Sequence, residues 1–124
     1  MRNFLLVFLG GGLGSVIRYV LGKWVNALHQ HQFPWGTLVA NVVACLAVGF
    51  FIGLADHRQV ISPSSRLFWV VGFCGGFSTF STFSAETLRL VQSGFTSTSI
   101  GYVIASVALC VAATLVGLLL AEKF

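Results

Sequence analysis

The sequence predicts an all-α integral membrane protein: four transmembrane helices in a single domain spanning residues 1–124, with the third helix broken at its centre. Three observations predict it. Of 124 residues, 56% are hydrophobic and only 8% charged, whereas a soluble domain carries about 25% charged residues. Apolar residues gather into four blocks, near 4–22, 36–55, 67–90 and 97–120. Each has roughly the 20 residues that carry a helix across ~30 Å of hydrocarbon, and none shows the ~10-residue alternation of a barrel strand. The third block also contains the polar run "CGGFSTFSTFSAE" at 74–86, which is out of character with its surroundings.

The first block opens Met1-Arg2-Asn3 like a secretory leader. Its apolar run continues past the usual 7–15 residues without a small-x-small cleavage site, so it reads as the first span. The second block carries Thr37 and Asn41 four residues apart, on one helix face. The fourth carries Tyr102, Ser106, Cys110 and Thr114, again in steps of four. Such polar groups are costly in hydrocarbon without partners. They read either as hydrogen bonds that glue helices together or as the lining of a pathway. Connections near 23–35, 56–66 and 91–96 are short, with Pro34 and "SPSS" as turn material, and no soluble domain or tail is expected.

In the third block, Gly75 and Gly76 weaken a helix and the Ser/Thr run competes for its backbone. A break near 75–79 is expected, with helix resuming from about Ser81. Irregular backbone at membrane depth survives only where protein covers it or a cavity receives it. There, free carbonyls suit a cation and free N–H groups an anion, and hydroxyls on Ser78, Thr79, Ser81, Thr82 and Ser84 add neutral donors. Phe77, Phe80 and Phe83 either fill a helix contact or turn their positive ring edges toward an anion, attracting it without a fixed charge.

Enzymatic chemistry lacks parts. The acids are Asp56, Glu86 and Glu122, and the histidines His29, His31 and His57 lie in loops. No two share a helix face, so neither a metal site nor an acid/base pair can be assembled within the membrane. Cys45, Cys74 and Cys110 sit in different blocks without metal-type spacing and read as small apolar residues.

With four spans, Arg2, Arg58, Arg66 and Lys123 share one side of the membrane, and Arg18, Lys23 and Arg89 the other. An excess of Lys and Arg in cytoplasmic loops normally fixes orientation, and four against three is almost none. Either one orientation is weakly favoured or both insert. Arg18 falls on the side of Glu86, where it could draw anions into a vestibule or form an ion pair with that acid. Small residues recur four apart at Gly10/Gly14, Gly49/Gly53, Gly72/Gly76 and Ala113/Gly117. Such pairs allow close helix packing in lipid and favour a compact bundle of at least two copies, with any solute pathway between subunits.

"GGGLGSVIRY" (10–19), "GTLVANVVAC" (36–45) and "GFCGGFSTFSTFSAE" (72–86) closely resemble the Fluc, or CrcB-type, fluoride channels of microorganisms. The resemblance runs through all four helices and is most specific in the third motif. It implies passive, fluoride-selective export across the bacterial inner membrane by an antiparallel, dual-topology homodimer with two pores. The partners it implies are fluoride, a second copy of the chain and lipid, with no nucleic acid and no enzymatic activity.

By position, Phe80 and Phe83 match the aromatics whose edges face the ion, Asn41 the pore asparagine, and Ser81 and Thr82 the hydroxyls beside the aromatics. Tyr102 and Ser106 match the start of the polar track, and Arg18 the vestibule arginine. Gly75 and Ser78 match positions whose backbone carbonyls hold a structural Na⁺ at the dimer centre. Cys110 departs from the family, whose track often has Ser there; a thiol is a poorer donor. The rival class, a small dual-topology multidrug exporter, needs an acid in its first helix, and this chain has none there.

Overall fold

The computed structural model describes residues 1–29 and 32–124; of the residues singled out above, His31 lies outside them. The chain is all-helical, with no strand among the described residues. In order come α1 (Arg2–Leu28), α2 (Trp35–Asp56), α3 (Pro63–Arg66), a π-wound stretch (Leu67–Cys74), α4 (Gly75–Phe77), α5 (Phe80–Gln92) and α6 (Thr96–Glu122). Four stretches are long and apolar enough to cross a membrane: Arg2–Leu28, Trp35–Asp56, Pro63–Gln92 and Thr96–Glu122. The chain is a multi-pass membrane protein. Its spans outrun the apolar blocks because helical hydrogen bonding continues into the polar flanks.

Local chemistry sets the helix boundaries. Ser62 caps α3 by accepting the Ser65 N–H at 3.2 Å, and Pro63 follows at the first helical position, where a missing N–H is harmless. Between α5 and α6 the chain turns at Gly94, whose φ of +87° suits a residue without a Cβ.

Close packing comes from small residues. A Cβ on Gly49 would collide with the carbonyl of Thr114, and one on Gly117 with that of Leu46, so α2 and α6 touch backbone to backbone. On α1, Gly10 and Gly14 meet the Phe68 and Phe73 carbonyls of the third span in the same way. These recurrent small residues are therefore engaged within the subunit. Two buried clusters result: Leu38, Leu90 and Tyr102 with Phe33, Val42 and Phe83 against them, and Ala40, Ala44 and Phe77 with Leu21 and Phe73.

The third span differs in detail from the sequence expectation. Gly75 and Gly76 stay helical, and Gly76 serves close approach instead, since a Cβ there would strike the Gly11 carbonyl. The extended residues are Ser78 (φ −79°, ψ 157°) and Thr79 (φ −148°, ψ 115°), and helix restarts at Phe80 rather than Ser81. The reason is a cap: Thr79 Oγ1 accepts the Thr82 N–H at 3.2 Å, which fixes the first turn of α5 one residue early.

Candidate functional site

The extended pair Ser78–Thr79 is held from two sides. Asn41 on α2 reaches it with both ends of its amide: Nδ2 donates to the Thr79 carbonyl at 3.1 Å, and Oδ1 accepts the Thr79 N–H at 2.7 Å. Only this orientation of the amide satisfies both groups. From α1, Arg18 Nε donates to the Gly76 carbonyl at 3.1 Å, and Ser15 Oγ donates to the same oxygen at 3.4 Å. The end of α4 thus meets cationic and hydroxyl donors where its own helix supplies none.

These bonds leave two carbonyls without their usual partners. In a continuous helix, the N–H of Thr79 would serve Gly75 and that of Thr82 would serve Ser78. Here the first goes to Asn41 and the second to the Thr79 hydroxyl. Gly75 has open space where a Cβ would stand, and with Ser78 it borders a cavity of about 160 Å³.

Sharing Ser78 and Cys45 with that cavity is a cleft of about 230 Å³, lined by Asn41, Cys45, Ser78, Thr79, Phe80, Phe83, Ser106, Val107 and Cys110. No charged side chain lines it. Phe80 is 78% exposed and tilts against Phe83 with ring centroids 5.5 Å apart; Phe83 in turn lies 5.1 Å from Tyr102. Ser106 Oγ is buried without a hydrogen-bond partner, an arrangement that costs about 1–3 kcal/mol unless a guest supplies the missing bond.

Beyond Phe83, Glu86 Oε1 accepts from Thr37 Oγ1 at 2.8 Å, and Oε2 from the Tyr102 hydroxyl at 3.0 Å. Tyr102 is completely buried. A second, wider space of about 270 Å³ begins here, bordered by Arg18, Lys23, Thr37, Thr82 and Glu86 among others.

The structure thus brings Asn41, Phe80, Phe83, Ser106 and Ser78 to one cleft, and Arg18 and Thr82 to the neighbouring space. Tyr102 is fully buried and lines neither, reaching them only through Phe83 and Glu86, while Ser81 is exposed with its hydroxyl 3.3 Å from that of Thr79. The Arg18–Glu86 ion pair does not form: Arg18 is engaged by the Gly76 carbonyl and Glu86 by two hydroxyls. Nor does every hydroxyl face the cleft. Ser78 Oγ donates back to the Cys74 carbonyl, and Thr114 Oγ1 to that of Cys110. Phe77 is 4% exposed in the core beside Phe73, a packing residue.

Sequence reasoning missed the acceptor role of Glu86 and the capping role of Thr79. Each left a signal. An acid inside an apolar span is a functional candidate by default, and a Thr just ahead of a resumed helix is a cap candidate.

The fold and the cleft define a class: a multi-span membrane protein with an uncharged cleft of hydroxyl, amide, thiol and aromatic side chains, beside a space bordered by Arg18 and Lys23. Comparison with known proteins narrows it. The family described as "CrcB-like protein, Camphor Resistance (CrcB)" matches residues 5–118, and the chain belongs to this family. Similar proteins include the fluoride-specific ion channel FluC of Phocaeicola vulgatus, 42% identical over 122 residues, covering 98% of this chain and all of that one. FluC of Rhizobium meliloti is 41% identical over 120 residues, covering 97% and 96% of the two chains. FluC of Rhizobium etli is 45% identical over 118 residues, covering 95% and 94%. The family is one of ion channels, and the chain is not an enzyme.

Proposed function

We infer that the protein is a fluoride-selective channel giving passive export of fluoride across the bacterial inner membrane. The observation that carries the reading is the uncharged cleft with Phe80 at its edge and an unpartnered hydroxyl, Ser106, in its wall. A small anion needs partial positive charge to replace water, and ring edges and neutral donors supply it. A fixed cation inside the cleft would hold the ion too firmly for fast exit. The names of the relatives point to the same ion.

In this reading, fluoride gathers at the mouth bordered by Arg18 and Lys23, passes Thr82 and Ser81, and crosses the edges of Phe83 and Phe80. Asn41 and Ser106 line the way, and Tyr102 backs it from behind Phe83. The break at Ser78–Thr79 is the device that opens the third span at its centre. The functional unit is an antiparallel, dual-topology homodimer. At its centre the carbonyls of Gly75 and Ser78, relieved of their helix donors, would hold a structural Na⁺. Oxygen ligands from unwound backbone are the donor set such a cation takes, and the ion would fix the two subunits without taking part in conduction.

The test is fluoride efflux from loaded liposomes, followed with an electrode in the presence of Na⁺. Efflux well above that of empty liposomes is expected; none would overturn the channel reading.

A further inference from the structure

Helices α2 and α6 carry two polar ladders that lie in register. Thr37, Asn41, Cys45 and Gly49 step by four along α2, and Tyr102, Ser106, Cys110 and Thr114 along α6. The outer rungs are fixed: Thr37 and Tyr102 bond to the two oxygens of one carboxylate, Glu86, and a Cβ on Gly49 would strike the Thr114 carbonyl. Both helices run in the same direction, since Gly53, four residues beyond Gly49, meets Leu118, four beyond Thr114. The rungs between pair Asn41 with Ser106 and Cys45 with Cys110. All four of these residues line the 230 Å³ cleft. Both thiols are free and partly exposed, and they share the lining of one cleft.

We propose that Cys45 and Cys110 form a two-thiol binding site for a soft, thiophilic metal cation, and that a cation held there obstructs the cleft. The second clause rests on the channel reading; the first does not. Soft cations such as Cu⁺, Ag⁺ and Hg²⁺ prefer sulfur ligands and bind them as thiolates, releasing the thiol protons. With Hg²⁺, two S–H bonds break, two S–Hg bonds form, and both protons leave to solvent; no oxidant or reductant is needed. The site follows from this chain's own Cys110, and a serine there would give no such pair. Cys74 is the competing partner, because it lines the cavity of about 160 Å³ together with Cys45, but it is buried at 4% exposure.

The probe is Hg²⁺, supplied as its nitrate to the purified protein in liposomes, with Cys45→Ser, Cys110→Ser, Cys74→Ser and the Cys45→Ser/Cys110→Ser double variant alongside. Two readouts are taken: the mass of the chain, and fluoride efflux of each variant relative to its own untreated sample. The unsubstituted protein and Cys74→Ser are expected to gain one mercury with loss of two protons and to lose efflux. Cys45→Ser, Cys110→Ser and the double variant should fail to take up mercury with loss of two protons, and the double variant, with neither cleft thiol, should keep its efflux. The same gain in the double variant, or in Cys110→Ser but not in Cys74→Ser, would overturn the site. Mercury uptake with undiminished efflux would overturn the obstruction. If untreated protein conducts nothing, the channel reading falls while the mass readout still decides the site.

Discussion

At the scale of single residues, Phe80 separates conduction from stability. It is 78% exposed, so Phe80→Ile is expected to change stability by no more than about 0.5 kcal/mol and yet to reduce fluoride flux, because an aliphatic side chain has no positive edge. Phe83→Ile should reduce flux too. It also forfeits the contact with Tyr102, worth about 0.5–1.5 kcal/mol. Flux and thermal unfolding measured on the same preparations check both; unchanged flux in both variants would leave the rings as packing alone. Arg18 teaches a different lesson. Its position in the first span was legible, but its partner was not, because the choice between Glu86 and the Gly76 carbonyl depends on where α4 ends. Likewise, nothing local in the sequence connects Glu86 to Thr37, 49 residues away, or to Tyr102, 16 away. Packing brings them together.

Among the elements, the α2–α6 contact is the most sensitive. Backbones touch at Gly49 and Gly117, so Gly117→Val must push Leu46 and Phe50 apart from α6, at a cost of about 1–3 kcal/mol. A lowered unfolding temperature in detergent would show it, and an unchanged one would mean that the interface relaxes freely. The four spans could be read from composition, because apolar length is a sum over many residues. The way the third span is wound could not. Its π-wound residues Leu67–Cys74 carry no distinguishing composition, and the extended pair falls at Ser78–Thr79 instead of at the glycines because Asn41 and the Thr79 cap decide the place.

For the whole molecule, the two ends carry nearly equal cationic charge, yet spend it differently. At one end Arg66 pairs with Asp56 at 3.0 Å, Arg2 donates to Ser64, and Arg58 donates to the Glu122 carbonyl. At the other, Arg18 donates to the Gly76 carbonyl and, with Lys23, borders open space. Apolar stripes on α1 (Phe4, Phe8) and α6 (Ile100, Ile104, Val107, Val111) are exposed, facing whatever surrounds the single chain, lipid or a second copy. If both orientations insert, as proposed, a C-terminal tag in intact cells should be labelled by an impermeant reagent in about half of the molecules, with the rest labelled only after permeabilisation. Labelling from one side alone would contradict dual topology.

The grip of Asn41 on Thr79 has a consequence for how extended chain survives in lipid. A strand normally needs a neighbouring strand, and a free edge invites further pairing. Here a side-chain amide takes the neighbour's place, giving one donor and one acceptor to the backbone of a single residue, Thr79, and so serving the two peptide groups that flank it. It amounts to a β-ladder a single rung long, closed on its own subunit and unable to grow. That solution leaves the flanking carbonyls free for other uses, and it depends on one residue. Asn41→Leu should leave both peptide groups without a partner, costing about 1–3 kcal/mol for each, and should show as accelerated hydrogen exchange at Thr79. Exchange unchanged from that of the unsubstituted protein would mean that some other group takes over the grip.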